Sequence, residues 1–249
     1  MNILICNDDG IFSEGLVTLA NILKKQHNIT IFAPDGNRSG FSRSMSFHKD
    51  IVIKQIHNAI DGVECYSVSG TPADCVKFGV IASGKHFDLV VSGINMGPNL
   101  GSDIFYSGTV NACFEANVER IPAIAFSNVG FRDYLLEENA KVIEKYLELL
   151  LKNISSSYTL NVNIPNIKFA DIKGVKFCGA GVCKYSDGYI KTGDDTFRLV
   201  GEPIPPTEND ADTDIYYTYN GYVTVTPVTH RVTDYNALEN LKGLNKWKL

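Results

Sequence analysis

Four short, nearly all-apolar runs constrain this chain more than any other feature: Asn2–Cys6 (NILIC), Ile29–Ala33 (ITIFA), Phe87–Ser92 (FDLVVS) and Pro122–Phe126 (PAIAF). A strand with one face in water alternates polar and apolar residues, whereas a run without a polar phase belongs to a strand covered on both faces. Segments of helical period separate these runs. Ser13 opens one, with Leu16, Leu19, Ala20 and Leu23 at helix spacing. Thr71-Pro72-Ala73-Asp74 carries an N-cap, a first-position proline and an acidic third position, and predicts a helix to about Ser83. Another helix begins near Ser107, and Leu135–Leu151 is a long amphipathic one. Strands alternating with helices predict an α/β fold with a mostly parallel sheet and helices on both faces.

Ile51–Ile56 and Cys65–Val68 look like a small antiparallel piece, and Tyr158–Ile164 alternates as a strand. From about Lys168 the pattern turns to short strands and a Pro/Asp-rich loop, Glu202–Asp214. Tyr216, Tyr217, Tyr219 and Tyr222 then precede Val223-Thr224-Val225-Thr226. This region predicts β-hairpins projecting from the main body, so the chain divides into a core at 1–167 and an extension at 168–249.

Composition excludes several functions. A net charge of −5 and a pI near 5.5 leave no basic footprint for stable nucleic-acid binding. No run of about 18 apolar residues suggests a membrane span. The start, MNILICNDDG, has no basic n-region, so no secretory leader is expected. Of the six cysteines, Cys6, Cys75 and Cys113 sit in apolar periodic segments, and none forms a C-x-x-C pair. They read as buried free thiols of a reducing, cytoplasmic compartment.

Polar loops follow three of the predicted parallel strands: Asn7-Asp8-Asp9-Gly10, Asn37-Arg38-Ser39-Gly40 and Ser92-Gly93-Ile94-Asn95-Met96-Gly97. In an open α/β sheet, ligands bind beyond the carboxyl ends of the strands, so all three loops belong at one edge. They bring carboxylates, hydroxyls and amides but no thiolate or histidine, a hard-oxygen set suited to Mg2+, Mn2+ or Ca2+. Adjacent carboxylates oppose each other's ionisation, and a divalent cation removes that cost. Alone, Asp8-Asp9-Gly10 serves equally well as a turn; with two more polar loops at the same edge, a metal site is the better reading. Ser107-Gly108-Thr109 opens a helix, where free N–H groups favour an anion, although a lone Ser-Gly-Thr reads first as an ordinary cap. Arg38 and Arg43 read as solvated loop arginines, with phosphate contact as the alternative, and Asp74 as a first-turn helix charge. Absent motifs rule out other chemistries: no G-x-G-x-x-G follows the first strand, and there is no Walker loop and no G-x-S-x-G elbow.

Taken together, NDDG (Asn7–Gly10), APDGNRSGFSRSMS (Ala33–Ser46), SGTPADCV (Ser69–Val76), DLVVSGINMGPNLGSDIFYSGTVNAC (Asp88–Cys113) and IPAIAFS (Ile121–Ser127) resemble SurE, the stationary-phase survival protein family of 5′/3′-nucleotidases. TDIYYTYNGYVTVTPV (Thr213–Val228) is similar to the family's closing segment, and the likeness thins between Cys178 and Asp212. The resemblance implies a Rossmann-like catalytic core and a C-terminal β-hairpin extension exchanged between subunits of a homo-dimer or tetramer. It also implies one divalent metal per subunit (Mg2+ or Mn2+, with Ca2+ as a further option), held by Asp8, Asp9, Ser39 and Asn95, and hydrolysis of nucleoside 5′- and 3′-monophosphates. On that basis Asp8 and Asp9 are the expected catalytic pair, with Asn37, Gly40, Ser107, Gly108 and Thr109 receiving phosphate oxygens. The alternatives are covalent catalysis by Asp8 and a nucleotide-binding module without turnover.

Overall fold

The computed structural model describes residues 1–243, so the last six residues of the 168–249 extension lie outside the described residues. The chain runs β1 (Asn2–Cys6), α1 (Glu14–Leu23), β2 (Asn28–Pro34), β3 (Ile53–Ile56), β4 (Glu64–Val68), α2 (Pro72–Ile81), β5 (Leu89–Met96), α3 (Gly108–Val118) and β6 (Ala123–Val129). It continues with α4 (Leu136–Leu151), β7 (Thr159–Pro165), β8 (Val175–Phe177), β9 (Gly188–Lys191), β10 (Phe197–Val200), α5 (Asp214–Tyr219), β11 (Val223–Val228) and α6 (Tyr235–Leu241).

Nine strands form one sheet in the order β3-β4-β2-β1-β5-β6-β7-β11-β8, parallel throughout except at β3/β4 and β7/β11. The two-residue period of the strands sorts the core into two layers. Ile3 and Ile5 of β1 join Leu89 and Val91 of β5 beneath α1 and α4, packed with Leu16, Leu19, Val142 and Ile143. Leu4 and Cys6 face the other way with Val90, toward Cys75 and Val76 of α2 and Val110 and Cys113 of α3. A strand flanked by helices on both faces has no polar phase, which explains the apolar runs. The helix starts follow the cap chemistry: Ser13, Thr71 and Ser107 each accept a backbone N–H of the first turn, and Asp74 closes a capping box on Thr71.

Four expectations need correction. The 51–68 strands pair antiparallel as expected, but they are no small piece of their own, because β4 also pairs in parallel with β2 and makes β3 the edge of the main sheet. β5 does not stop at Ser92; it runs to Met96 through a bulge, since Ser92 and Asn95 oppose Ala125 and Ser127, three steps against two. The tyrosine cluster is helical across Asp214–Tyr219, because Thr213 caps it by accepting the Tyr216 N–H. β11, predicted as part of a projecting hairpin, instead lies between β7 and β8, with Val223 and Val225 in the main core. Only β9–β10 stands apart as a two-stranded hairpin among the described residues.

Candidate active site

β1 lies between β2 and β5, so the chain first leaves β1 on one side of it and later returns on the other. Loops beyond such a pair diverge and open a crevice. Asn7-Asp8-Asp9-Gly10 follows β1, and Asn95 and Met96 end β5. The loop is shaped by Asn7, whose Nδ2 donates to Gly10 O at 3.0 Å and to Ser13 Oγ at 2.6 Å, while its Oδ1 accepts from Gly10 N at 3.1 Å. The cap of α1 and the first loop are therefore one hydrogen-bonded unit.

Asp8 is 3% exposed, and its Oδ1 accepts from the Thr109 hydroxyl. The same hydroxyl lies 3.4 Å from Asn95 Oδ1, so oxygens from β1 and β5 converge on one point. Helix α3 reaches this spot because residue 108 lacks a side chain: a Cβ there would stand 2.7 Å from Asp8 Cβ and 2.9 Å from Oδ2. Asn95 depends on a second glycine. Gly93 sits in the bulge at φ +122°, and a Cβ on it would meet Phe126 O at 2.2 Å. The bulge re-aims the end of the strand.

Asp9 is half-buried and ties the loops together. Its Oδ1 accepts from Asn37 Nδ2 at 3.5 Å and its Oδ2 from Met96 N at 3.3 Å. The Asp8 main-chain oxygen accepts from Arg38 N at 2.6 Å, and Asn37 Oδ1 from Ser39 N at 3.0 Å. This holds Ser39 beside the pair.

Burial pushes the Asp8 carboxyl up to about 6; Thr109 opposes that rise and the neighbouring Asp9 adds to it. Burial raises Asp9 as well, against the Met96 N–H. The nearby arginines offer no relief, because Arg38 pairs with Asp35 at 2.6 Å and Arg43 with Glu115 at 2.6 Å. Two crowded, desolvated carboxylates beside neutral amide and hydroxyl oxygens form a donor set that fits a hard divalent cation. Among the described residues, no group of three or more His, Cys, Asp or Glu offers an alternative centre.

The remaining expected residues fall into place unevenly. Ser39, Gly40 and Ser107 line, with Asp8 and Asn95, a cleft of about 840 Å3. Asn37 is exposed at its edge. Ser107 Oγ caps α3 by accepting Val110 N at 3.0 Å, and Gly108 provides the close approach to Asp8. Thr109 is completely buried, and its hydroxyl is engaged by Asp8. Arg43 is only partly solvated and is paired, since Glu115 takes its Nε at 3.0 Å and its Nη2 at 2.6 Å. Asp74 is more than a helix charge: it accepts Ser46 N at 3.1 Å and Ser46 Oγ at 2.8 Å. The Ser39 loop is thus braced from beneath by two buried carboxylates.

Sequence reasoning missed the far wall of the cleft. It consists of Cys183, Tyr185, Asp187 and Leu199–Gly201 on the β9–β10 arm, facing Ser102 and Asp103. Tyr185 OH donates to Asp103 Oδ2, and Cys183 N donates to Ser102 Oγ at 3.0 Å. The arm and its partners lie about 80 residues apart in the chain, so no local spacing announces the contact.

A doubly covered parallel sheet with an acidic, all-oxygen site at its switch point defines a Rossmann-like α/β protein. The family model for Survival protein SurE matches residues 3–187. A 5′-nucleotidase SurE of Clostridium beijerinckii is 40% identical over 249 residues, covering 97% of this chain and 98% of the relative. A 5′-nucleotidase SurE of Petrotoga mobilis is 40% identical over 250 residues, covering 98% of each. The crystal structure of the SurE protein from Aquifex aeolicus superposes with a TM-score of 0.86 at 38% identity, covering 99% of this chain and 100% of that one. The chain belongs to the SurE family. No helix among the described residues is long and apolar enough to cross a membrane, and all six cysteines are free thiols.

Proposed function

We propose that this chain is a divalent-metal-dependent phosphomonoesterase that hydrolyses nucleoside 5′-monophosphates, and 3′-monophosphates with them, to nucleoside and phosphate. The observation that carries the reading is the convergence of Asp8, Asn95 and Thr109 beside Asp9 and Ser39 at the head of the cleft. The relatives named 5′-nucleotidase supply the substrate class, which the oxygens by themselves do not.

Asp8, Asp9, Ser39 and Asn95 hold one divalent ion per subunit, Mg2+ or Mn2+, and Ca2+ shares their oxygen preference. When bound, the ion supplies a Lewis acid for the phosphoryl oxygens and offsets charge in the transition state. One carboxylate of the pair takes a proton from the attacking water as its oxygen bonds to phosphorus; the ester P–O bond breaks, and that proton passes to the leaving oxygen, so the nucleoside departs as its alcohol. Asn37, the Gly40 amide and the Gly108 N–H, which has no intrahelical partner in the first turn, receive the remaining phosphate oxygens. Thr109 orients Asp8. The active form is a homo-dimer or tetramer assembled through the C-terminal segment, and six free thiols fit a reducing, cytoplasmic compartment.

Phosphate release from AMP with Mn2+, measured with and without chelator, tests the reading. Release that the chelator abolishes is expected. AMP binding without release would instead make the chain a nucleotide-binding module.

A further inference from the structure

The end of β5 presents Asn95, and the direction of its amide depends on the residues that follow. Asn95 Nδ2 donates to Gly97 O at 2.8 Å, which leaves Oδ1 facing the Thr109 hydroxyl that also engages Asp8. Met96, between the two, is held from both sides. Its N–H donates to Asp9 Oδ2 at 3.3 Å, and its carbonyl accepts from the Tyr134 hydroxyl at 2.9 Å. Tyr134 reaches it from the loop between β6 and α4, 38 residues along the chain.

That loop is fastened on both flanks of the tyrosine. Asn166, just after β7, accepts Leu135 N at 2.8 Å with its Oδ1 and donates from Nδ2 to Arg132 O at 3.3 Å and Asp133 O at 3.2 Å. Buried Asn128 steadies Asn166 in turn, its Nδ2 donating to Asn166 Oδ1 at 3.1 Å and to Asn139 Oδ1 at 2.6 Å. Gly130 admits this crowding, since a Cβ there would stand 2.8 Å from both Asn128 Oδ1 and Asn166 Nδ2. Asp133 lies at φ +51°, a left-handed conformation that a non-glycine residue keeps only where its surroundings fix it. Asn128 also stands opposite Met96 in the β5–β6 register, so one amide network sets both the strand end and the tyrosine. Burial, and then the charge of Asp9, push the Tyr134 hydroxyl up, so it stays protonated as the donor.

A divalent ion tolerates little error in the placement of its oxygens, and groups that orient the ligands tune affinity without touching the ion. Asp9 and Asn95 are both oriented through the Met96–Gly97 main chain. On the metal-dependent reading above, we propose that Tyr134 is a positioning residue for the metal centre: by fixing the Met96 carbonyl it holds Asp9 and Asn95 at the spacing that a divalent ion requires. Without its hydroxyl, Met96 can turn, carrying with it the N–H that Asp9 accepts and the carbonyl that orients Asn95.

The test measures Mn2+ binding to the metal-free full chain by calorimetry, beside AMP turnover against free Mn2+, in wild type, Tyr134→Phe and Tyr158→Phe. Tyr158 is the matched control: its hydroxyl also donates to a main-chain carbonyl, Asn153 O at 2.8 Å, from a half-buried ring outside the cleft. Tyr134→Phe is expected to raise the Mn2+ dissociation constant about tenfold, the lower end for loss of a group that orients a metal ligand. Its kcat at saturating Mn2+ stays within about twofold of wild type, because the bound ion restores the geometry. Tyr158→Phe keeps the wild-type dissociation constant, while any fall in melting temperature is shared by both variants. A hydroxyl with a merely structural role would give that shared fall and no difference in metal affinity. Wild-type Mn2+ affinity in Tyr134→Phe, or equal weakening in the two variants, overturns this inference and leaves the metal site standing. Should Tyr134→Phe fail to fold, Asn166→Ala frees the loop while keeping the hydroxyl, and unchanged Mn2+ affinity there overturns the inference equally. A wild-type chain that binds no Mn2+ overturns the metal-dependent reading as well.

Discussion

On one wall of the cleft, the loop at 35–46 hangs from buried carboxylates. Glu115, 2% exposed, grips Arg43 and, at 3.0 Å, Lys77; Asp74, 5% exposed, takes two hydrogen bonds from Ser46; and Thr71 Oγ1 donates to Ser44 O at 2.6 Å. On the other wall, the arm at 183–203 rests on Tyr185–Asp103 and Cys183–Ser102, with Tyr189, Phe197 and Leu199 more than half exposed. The first wall carries the candidate metal oxygens, whose spacing tolerates little error. The second carries Cys183, Tyr185, Asp187 and Leu199 on the far side of the cleft. A rigid scaffold for chemistry beside a loosely docked arm for discrimination is the division that loop physics favours. The two walls therefore differ in what a substitution does: on the first it costs chemistry and stability together, and on the second it alters selection or local opening while the fold stands.

The sharpest break comes at Asp8. Asp8→Asn removes one oxygen charge from the site, and turnover of AMP is expected to fall about 10^3-fold, within the range for loss of a general acid–base or metal-binding group. Stability moves the other way in the absence of metal. Asp8 is raised when folded, from 3.8 to about 6, so the metal-free protein keeps its stability below the lower value and loses it as pH rises through about 6. At pH 8 that loss is of order 2–3 kcal/mol. In chelator at pH 8, Asp8→Asn should melt several degrees above wild type, and added Mn2+ should raise wild type far more than the variant. A variant that melts lower than wild type in chelator would show that Asp8 is not a strained anion awaiting a cation.

Glu115 comes next. Burial alone would raise its carboxyl, but the Arg43 and Lys77 hydrogen bonds outweigh burial and hold it below its ordinary value near 4.5. A depressed carboxyl contributes stability above the unfolded value and loses it as pH falls through the folded one. Glu115→Gln should therefore destabilise by about 2 kcal/mol at pH 7, discounted for the part-exposed cations, and the difference from wild type should shrink below about pH 4.5. Because Arg43 anchors the Ser39 loop, the metal concentration for half-maximal activity should rise about tenfold, with a smaller change in kcat at saturating metal. A lower melting temperature with unchanged metal dependence would leave Glu115 a stabiliser only.

The two walls were also unequally legible. Ile3, Leu4, Ile5 and their counterparts announced buried parallel strands, and the parallel order then required the loops bearing Asp8, Ser39 and Asn95 to share an edge. The motifs that bear Asp8, Ser39 and Asn95 fall within the matched residues 3–187. What stayed hidden depends on pairings with no local signature. Glu115 meets Arg43 across 72 residues, and Tyr185 meets Asp103 across 82. The bulge carrying Asn95 is dictated by Phe126 O on the neighbouring strand, so Gly93 read only as a loop glycine. The tyrosine run favoured strand by propensity, yet the Thr213 cap and buried Asp214, which binds Gly101 N and Gly181 N, outweighed it.

The smallest effect belongs to the arm. Ser102→Ala removes the acceptor of Cys183 N, and Tyr185→Phe removes the donor to Asp103; both sites are at least partly exposed, so neither should move the melting temperature measurably. Both contacts close the arm onto the body, however, and their loss lowers the free energy of local opening rather than of global unfolding. Lys191 and Arg198 lie exposed within the hairpin and report that opening to trypsin. In the double variant, cleavage there should accelerate by about tenfold, equivalent to ~1.4 kcal/mol of local stability, while cuts in the nine-stranded body stay at the wild-type rate. Equal acceleration at both places would mean that the arm opens only when the whole molecule does, and the contrast between a fixed wall and a docked one would fail.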